Sequence, residues 1–315
     1  MLNQWVRYCI LSTTAIFISS ICSAQIPGLQ WARAFNGTTP STSYPTAVAT
    51  DPSGNVFTIG TFQLTFDFDP GPGVFLLTAA SGSDIFISKL DAAGDFVWAV
   101  KIDATQANSI TVDGAGNPYI TGAYAGTVDF DPGAGTTNLT GGGAFALKLN
   151  ANGTFNWAKR IGNGQGNSMA IDASNNLIIA GDFTGSSDFD PGAGITTLTS
   201  AGGSDIFVSK FLLDGTFVWA KSMGGLSTDL ANGVDTDASG NVYTTGGFSS
   251  AAADFDPGAP INTLTSAGSD DIYVSKLDAA GNYVSAVRIG FTGSERANSL
   301  TIDGAGNVLL TGQFT

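Results

Sequence analysis

The chain has 315 residues, 43% of them hydrophobic and only 12% charged, with 42 Gly. That apolar content excludes long disorder, and a formal net charge of −14 excludes a surface built for nucleic acid phosphates or anionic lipid. Nearly all the acids are Asp, with Glu295 the sole Glu, and there is no His; turns are expected rather than helices or imidazole chemistry.

Residues 1–24 read as a signal peptide. Arg7 supplies the positive start, Cys9 to Ile21 form a short apolar run, and Cys22-Ser23-Ala24 offers small residues before a cleavage at Gln25. The run is short for a bilayer span, and no other stretch is apolar enough to make one. Bulky Ile21 argues against a lipid anchor on Cys22. Both cysteines, Cys9 and Cys22, fall in this leader, so the mature chain has no thiol and its charge becomes −15 once Arg7 is lost.

After a short segment, 25–30, a repeat occupies residues 31–315. A Trp-Ala marker occurs at Trp31, Trp98, Trp157 and Trp219, with Ser285-Ala286 in the same place later, at spacings of 67, 59, 62 and 66 residues. Each unit begins with an alternating strand such as Ala107 to Asp113 and turns at Asp113-Gly-Ala-Gly-Asn117, with counterparts at Asp51, Asp172, Asp237 and Asp303. A second strand follows, as in Pro118 to Gly122. About twenty residues containing Asp-Phe-Asp-Pro-Gly then lead to a third strand, Asp84 to Leu90, and a fourth, Phe96 to Ile102. Four antiparallel strands per unit of about 60 residues predict an all-β fold, a β-propeller of four-stranded blades. Four sets and one further hairpin give about four and a half blades. The expectation is an incomplete propeller whose last blade is truncated at Thr315.

The motifs Val112 to Gly122, Asp205 to Phe211 and Gly215 to Trp219 resemble the bacterial SBBP repeat, and the hairpin is similar to that of NHL-type propellers. The resemblance implies a propeller and leaves function open. Gly143 where other units have Asp, and Ser285 where others have Trp, depart from it.

Asp-Phe-Asp-Pro-Gly is the most site-like motif, placing paired carboxylates at Asp67 and Asp69, Asp129 and Asp131, Asp188 and Asp190, and Asp254 and Asp256. Such pairs are candidate weak Ca2+ ligands; the competing reading is a turn anchored by its Phe, which the residues favour. Lys89, Lys148, Lys210 and Lys276 recur at one position and Lys101, Arg160 and Arg288 at another, either a ligand ring or charges guarding strand edges. The Trp markers are expected to pack between blades. Asp182 and Glu295 are the acids outside the repeat, without a partner that suggests catalysis. Sequons at Asn36, Asn138 and Asn152 read as ordinary loop residues.

The expected function is a secreted, non-enzymatic scaffold at the cell surface, binding a protein or glycan on its propeller face. The alternative is a polysaccharide-active enzyme or its carbohydrate-binding domain. No catalytic residue or cofactor other than Ca2+ is indicated. Amino-terminal sequencing of the exported protein is expected to begin at Gln25; a start at Cys22 would mark a lipid-anchored form.

Overall fold

A computed structural model describes residues 30–37, 42–104 and 106–315. The leader, residues 25–29 and Thr38 of the first sequon lie outside the described residues. The chain divides into Met1–Ala32 and Arg33–Thr315, and the sheets belong to the second unit.

Four consecutive four-stranded antiparallel blades form, each in the sequence order of its strands. The first comprises Ser43–Thr50, Val56–Asp67, Leu76–Leu90 and Phe96–Ile102. The second comprises Gln106–Val112, Pro118–Tyr124, Gly143–Leu149 and Phe155–Ile161. The third is Gln165–Ile171, Asn176–Phe183, Asp205–Leu212 and Phe217–Met223. The fourth is Asp229–Thr236, Val242–Phe248, Asp271–Leu277 and Tyr283–Ile289. A hairpin, Arg296–Ile302 with Val308–Gln313, follows. First strands of successive blades touch one another, so the molecule is a β-propeller with those strands around its axis.

The expected strand at Trp31 does not form: residues 30–35 carry no strand. In the blades, the marker strand pairs with a third strand, as Trp98 does with Lys89. Near the first marker, by contrast, the chain reaches its first pairing at Asn36–Gly37, which lies along Phe66 and Asp67 of the first blade.

Sequence periodicity explains the strand faces. Third strands such as Ile206-Phe207-Val208 are apolar without alternation because neighbouring blades cover both faces, and all three residues are fully buried. The cores lie between blades. One joins Phe57, Ile87 and Trp98 to Ile110, Ile120 and Phe145. Others join the second blade to the third and the third to the fourth.

Every first strand carries a β-bulge at the same place, at Thr46, Asn108, Asn167, Asn232 and Asn298. The Gly of each second strand permits it. A Cβ at Gly122, Gly181 or Gly246 would sit within 2.0 Å of the carbonyl oxygen of Gln106, Gln165 or Leu230. A side chain there would push the bulge out of the strand.

The Trp markers pack between blades, as expected. Indole N–H groups of Trp98, Trp157 and Trp219 donate to the carbonyls of Ala151, Leu213 and Ala279 in the next blade. The same carbonyls accept from Lys89, Lys148 and Lys210. Removing the Trp98 side chain should therefore cost about 3 kcal/mol as the Ala variant. Asn232→Ala, which removes a hydrogen bond to the next blade, should cost about 1 kcal/mol. Urea melts of the two variants and their double mutant check both values, and the losses should add because the sites lie in different junctions.

Candidate functional site

The bulges gather around the propeller axis, where the four at Asn108, Asn167, Asn232 and Asn298 line an open cavity of about 730 Å3. It opens at the end carrying the Asp-Phe-Asp-Pro-Gly loops, since first strands begin where second strands end. Its wall is made of carboxamides: Gln106, Asn108, Gln165, Asn167, Asn232 and Gln313 are among the lining residues.

Bulging turns Thr46, Asn108, Asn167 and Asn232 toward the next blade. Thr46 Oγ1 donates to the Ala107 carbonyl at 2.7 Å. Asn108 Nδ2 donates to Gly166 O at 2.9 Å, Asn167 Nδ2 to Ala231 O at 3.0 Å, and Asn232 Nδ2 to Ala297 O at 2.8 Å. In the two middle junctions a serine beside the bulge accepts in return, Ser109 from Met169 N and Ser168 from Val234 N. The amide N–H groups thus hold the blades together. Gln106 and Gln313 make none of these inter-blade bonds and remain available at the rim.

Three charged side chains reach the cavity: Asp182, Asp270 and Arg296. Arg296 pairs with Asp270. Asp182 accepts from Asn167 Nδ2 at 2.8 Å and Gln165 Nε2 at 3.2 Å. Burial pushes its carboxyl up, although these amide donors oppose the rise. A raised carboxyl is one half of what glycoside hydrolysis needs. The other acid at the mouth, Asp270, is tied to Arg296, so the arrangement offers hydrogen bonds rather than a matched acid and base.

The paired carboxylates of Asp-Phe-Asp-Pro-Gly are distributed over four separate loops. Asp67, Asp129, Asp188 and Asp254 each use Oδ1 to accept two backbone N–H groups, from residues two and eight positions on. Asp69, Asp131, Asp190 and Asp256 each accept the N–H two residues later. The intervening Phe68, Phe130, Phe189 and Phe255 are fully buried, with ring centroids 4.8–5.1 Å from those of Phe86, Phe145, Phe207 and Tyr273. Among the described residues no three acidic, His or Cys side chains converge as metal ligands.

The Lys row is neither a ligand ring nor a set of edge guards. Lys89 and Lys210 are buried between blades, and Lys210 pairs with Asp172 at 2.9 Å. In the fourth strands, Lys101 and Arg288 pair with Asp84 and Asp271, whereas Arg160 donates to Gly142 O, where Gly143 replaces the acid.

Sequence reasoning missed the carboxamide ring. Its signal was present as Ala107-Asn-Ser, Gly166-Asn-Ser, Ala231-Asn-Gly and Ala297-Asn-Ser, each Asn 14 residues before the Gly of the second strand. It named Asp182 and Glu295 as the acids outside the repeat but not their burial, at 7% and 2% exposure.

No family model matches the chain. An uncharacterised WD repeat-containing protein of Acanthamoeba polyphaga mimivirus is 26% identical over 183 residues, covering 50% of this chain and 13% of that protein. The WD40 domain of Neurospora crassa Pan2 superposes with a TM-score of 0.40 at 10% identity, covering 82% of this chain and 69% of that one. The propeller fold rests on the four blades themselves, and the likeness to the bacterial SBBP repeat on the sequence motifs.

The loop carboxylates act here through N–H bonds, which an amide oxygen can replace. Asp129→Asn should leave the melting temperature within about 1 °C, Asp129→Ala should lower it by several °C, and excess EDTA should leave the parent chain unchanged. A fall with EDTA, abolished in Asp129→Asn, would establish a metal there instead.

Proposed function

We propose that this chain is a non-enzymatic binding scaffold that captures a protein partner at the mouth of its axial cavity. The observation that carries the reading is the carboxamide wall. Its amide donors are fixed between blades, so the wall is preorganised, and preorganised polar groups bind without a large ordering cost. Rim residues Gln106 and Gln313 add donors and acceptors that can meet a backbone or a polar side chain. The net charge of −14 favours a neutral or basic partner surface.

Export is part of the same reading, supported by the order of Arg7, the apolar run to Ile21 and the small residues before Gln25. Among the described residues no helix is long and apolar enough to cross a membrane. A glycan is the second ligand class, since carboxamides also suit neutral hydroxyls.

Screening the mature chain against a displayed peptide library, a glycan array and a polysaccharide panel tests this. Peptide capture is expected, and Gln106→Ala with Gln313→Ala should weaken it at least tenfold with little change in melting temperature. Glycan capture alone would select the second class. Release of soluble sugar from any polysaccharide would overturn the non-enzymatic reading.

A further inference from the structure

The fourth-strand cations have a gap. Register places Lys101 opposite Phe86, Arg160 opposite Phe145 and Arg288 opposite Tyr273; the same place in the third blade, opposite Phe207, is Ser222. The acid that such a cation would meet is nonetheless retained. Asp205 stands where Asp84 and Asp271 stand, without the ion pair that each of those makes.

Asp205 is 3% exposed and its Oδ1 has no hydrogen-bond partner, while Oδ2 accepts from Ala201 N at 2.7 Å. Across the junction, at the start of the fourth blade, Asp229 is fully buried. Its Oδ2 accepts from Gly225 N at 2.7 Å and from Ser250 Oγ at 2.8 Å, and Ser249 N donates to Oδ1. Asp205 Oδ1 lies beside Gly224, the residue before Gly225, and Asp229 N donates to Ser204 O at 2.7 Å, so the two carboxylates flank one short stretch of backbone. The other titratable groups facing this place are Asp182 and Tyr273, neither of them cationic. Lys221, on the strand that carries Ser222, lays its stem against Gly281 in the turn at the opposite end of the next blade.

We propose that a proton shared between Asp205 and Asp229 closes the seam between the third and fourth blades, which makes that seam stronger in mildly acidic solution. A cationic side chain of a partner cannot reach groups buried this deeply. Ca2+ wants six to eight oxygens, and those of Asp229 already accept N–H and O–H groups. A proton fits: taken from solvent, it sits on the orphaned Asp205 Oδ1 and donates to the Asp229 carboxylate, with no other bond made or broken.

Burial and then the Asp229 charge push the Asp205 carboxyl up to about 6. Burial raises Asp229 too, against its own donors. Because the folded value exceeds the unfolded one, the folded chain binds more protons between about pH 4 and 6. The pair's contribution to stability therefore grows as pH falls through about 6 and levels off near 4. Above 6 the junction holds an uncompensated charge.

Melting temperatures from pH 8 to pH 4 for the parent chain, Asp205→Asn and Ser222→Arg test the proposal. The Asn amide supplies an N–H where the shared proton would sit, so Asp205→Asn should melt higher than the parent at pH 8 by about 3 °C, and the difference should narrow below pH 6 and close near pH 4. Ser222→Arg should behave likewise by supplying the missing cation. Parallel curves for the parent and Asp205→Asn overturn the proposal, whether or not Ser222→Arg folds. So does a rise in the parent's melting temperature with Ca2+ at pH 8 that Asp205→Asn loses.

Discussion

Each blade presents its neighbour with backbone carbonyls that the sheet cannot satisfy, and capturing them from the blade before is the constraint around which this propeller is built. It is met at two radii in the first three junctions and near the axis alone in the fourth. Near the axis, a bulged Thr or Asn takes the carbonyl just before the next bulge. Near the outer edge, Lys and Trp of one blade converge on a turn carbonyl of the next. Apolar packing between blades supplies most of the free energy, yet it is nearly non-directional and would tolerate sliding. Polar capture at two separated radii sets register and angle, because each bond fails if the blades shift by an ångström or two.

That division explains which features were legible in the sequence. Blade boundaries, strand order and turn chemistry follow from alternation and from Asp and Gly at fixed offsets, all local effects. Phe130 also read correctly as an anchor, since a lone aromatic between two turn-forming Asp has nowhere to go but the core. The roles of Asn108 and Lys89 were hidden, because both act across a junction on a residue about sixty positions away. A strand-borne Lys reads as an exposed guard unless the next blade is in view. The strand expected at Trp31 failed for a related reason: the marker carries the chemistry of an outer strand, but pairing needs a third strand beside it.

The ring of carboxamides makes architecture and recognition two uses of one feature. A bulge places its side chain toward the axis, and the axis is where the open cavity lies. Amides are suited to this double service, since each has a donor side and an acceptor side. With the donors directed at the following blade, the wall is held still without burying a charge. A ligand at the mouth then meets groups whose positions are fixed by the fold rather than by its own binding.

The acids of this chain have divided into two physical classes. The repeated Asp residues at the first turn of each blade, such as Asp113, Asp172 and Asp237, lie below the usual carboxylate range. Burial alone would raise them, but the Asn side chain and backbone N–H groups of their own turns more than offset it. Their contribution to stability is present above the unfolded value and is lost as pH falls through the depressed one. Asp182, Asp205 and Asp229 are buried without a cation and move the other way. The first class binds turns together in every blade; the second is confined to the seam beside the cavity. A structure whose general acid sensitivity comes from repeated turns can therefore carry a local response of opposite sign between about pH 4 and 6. In that window the turn acids are still ionised while the seam takes up its proton, so acidification would tighten the cavity's edge before it loosens the blades.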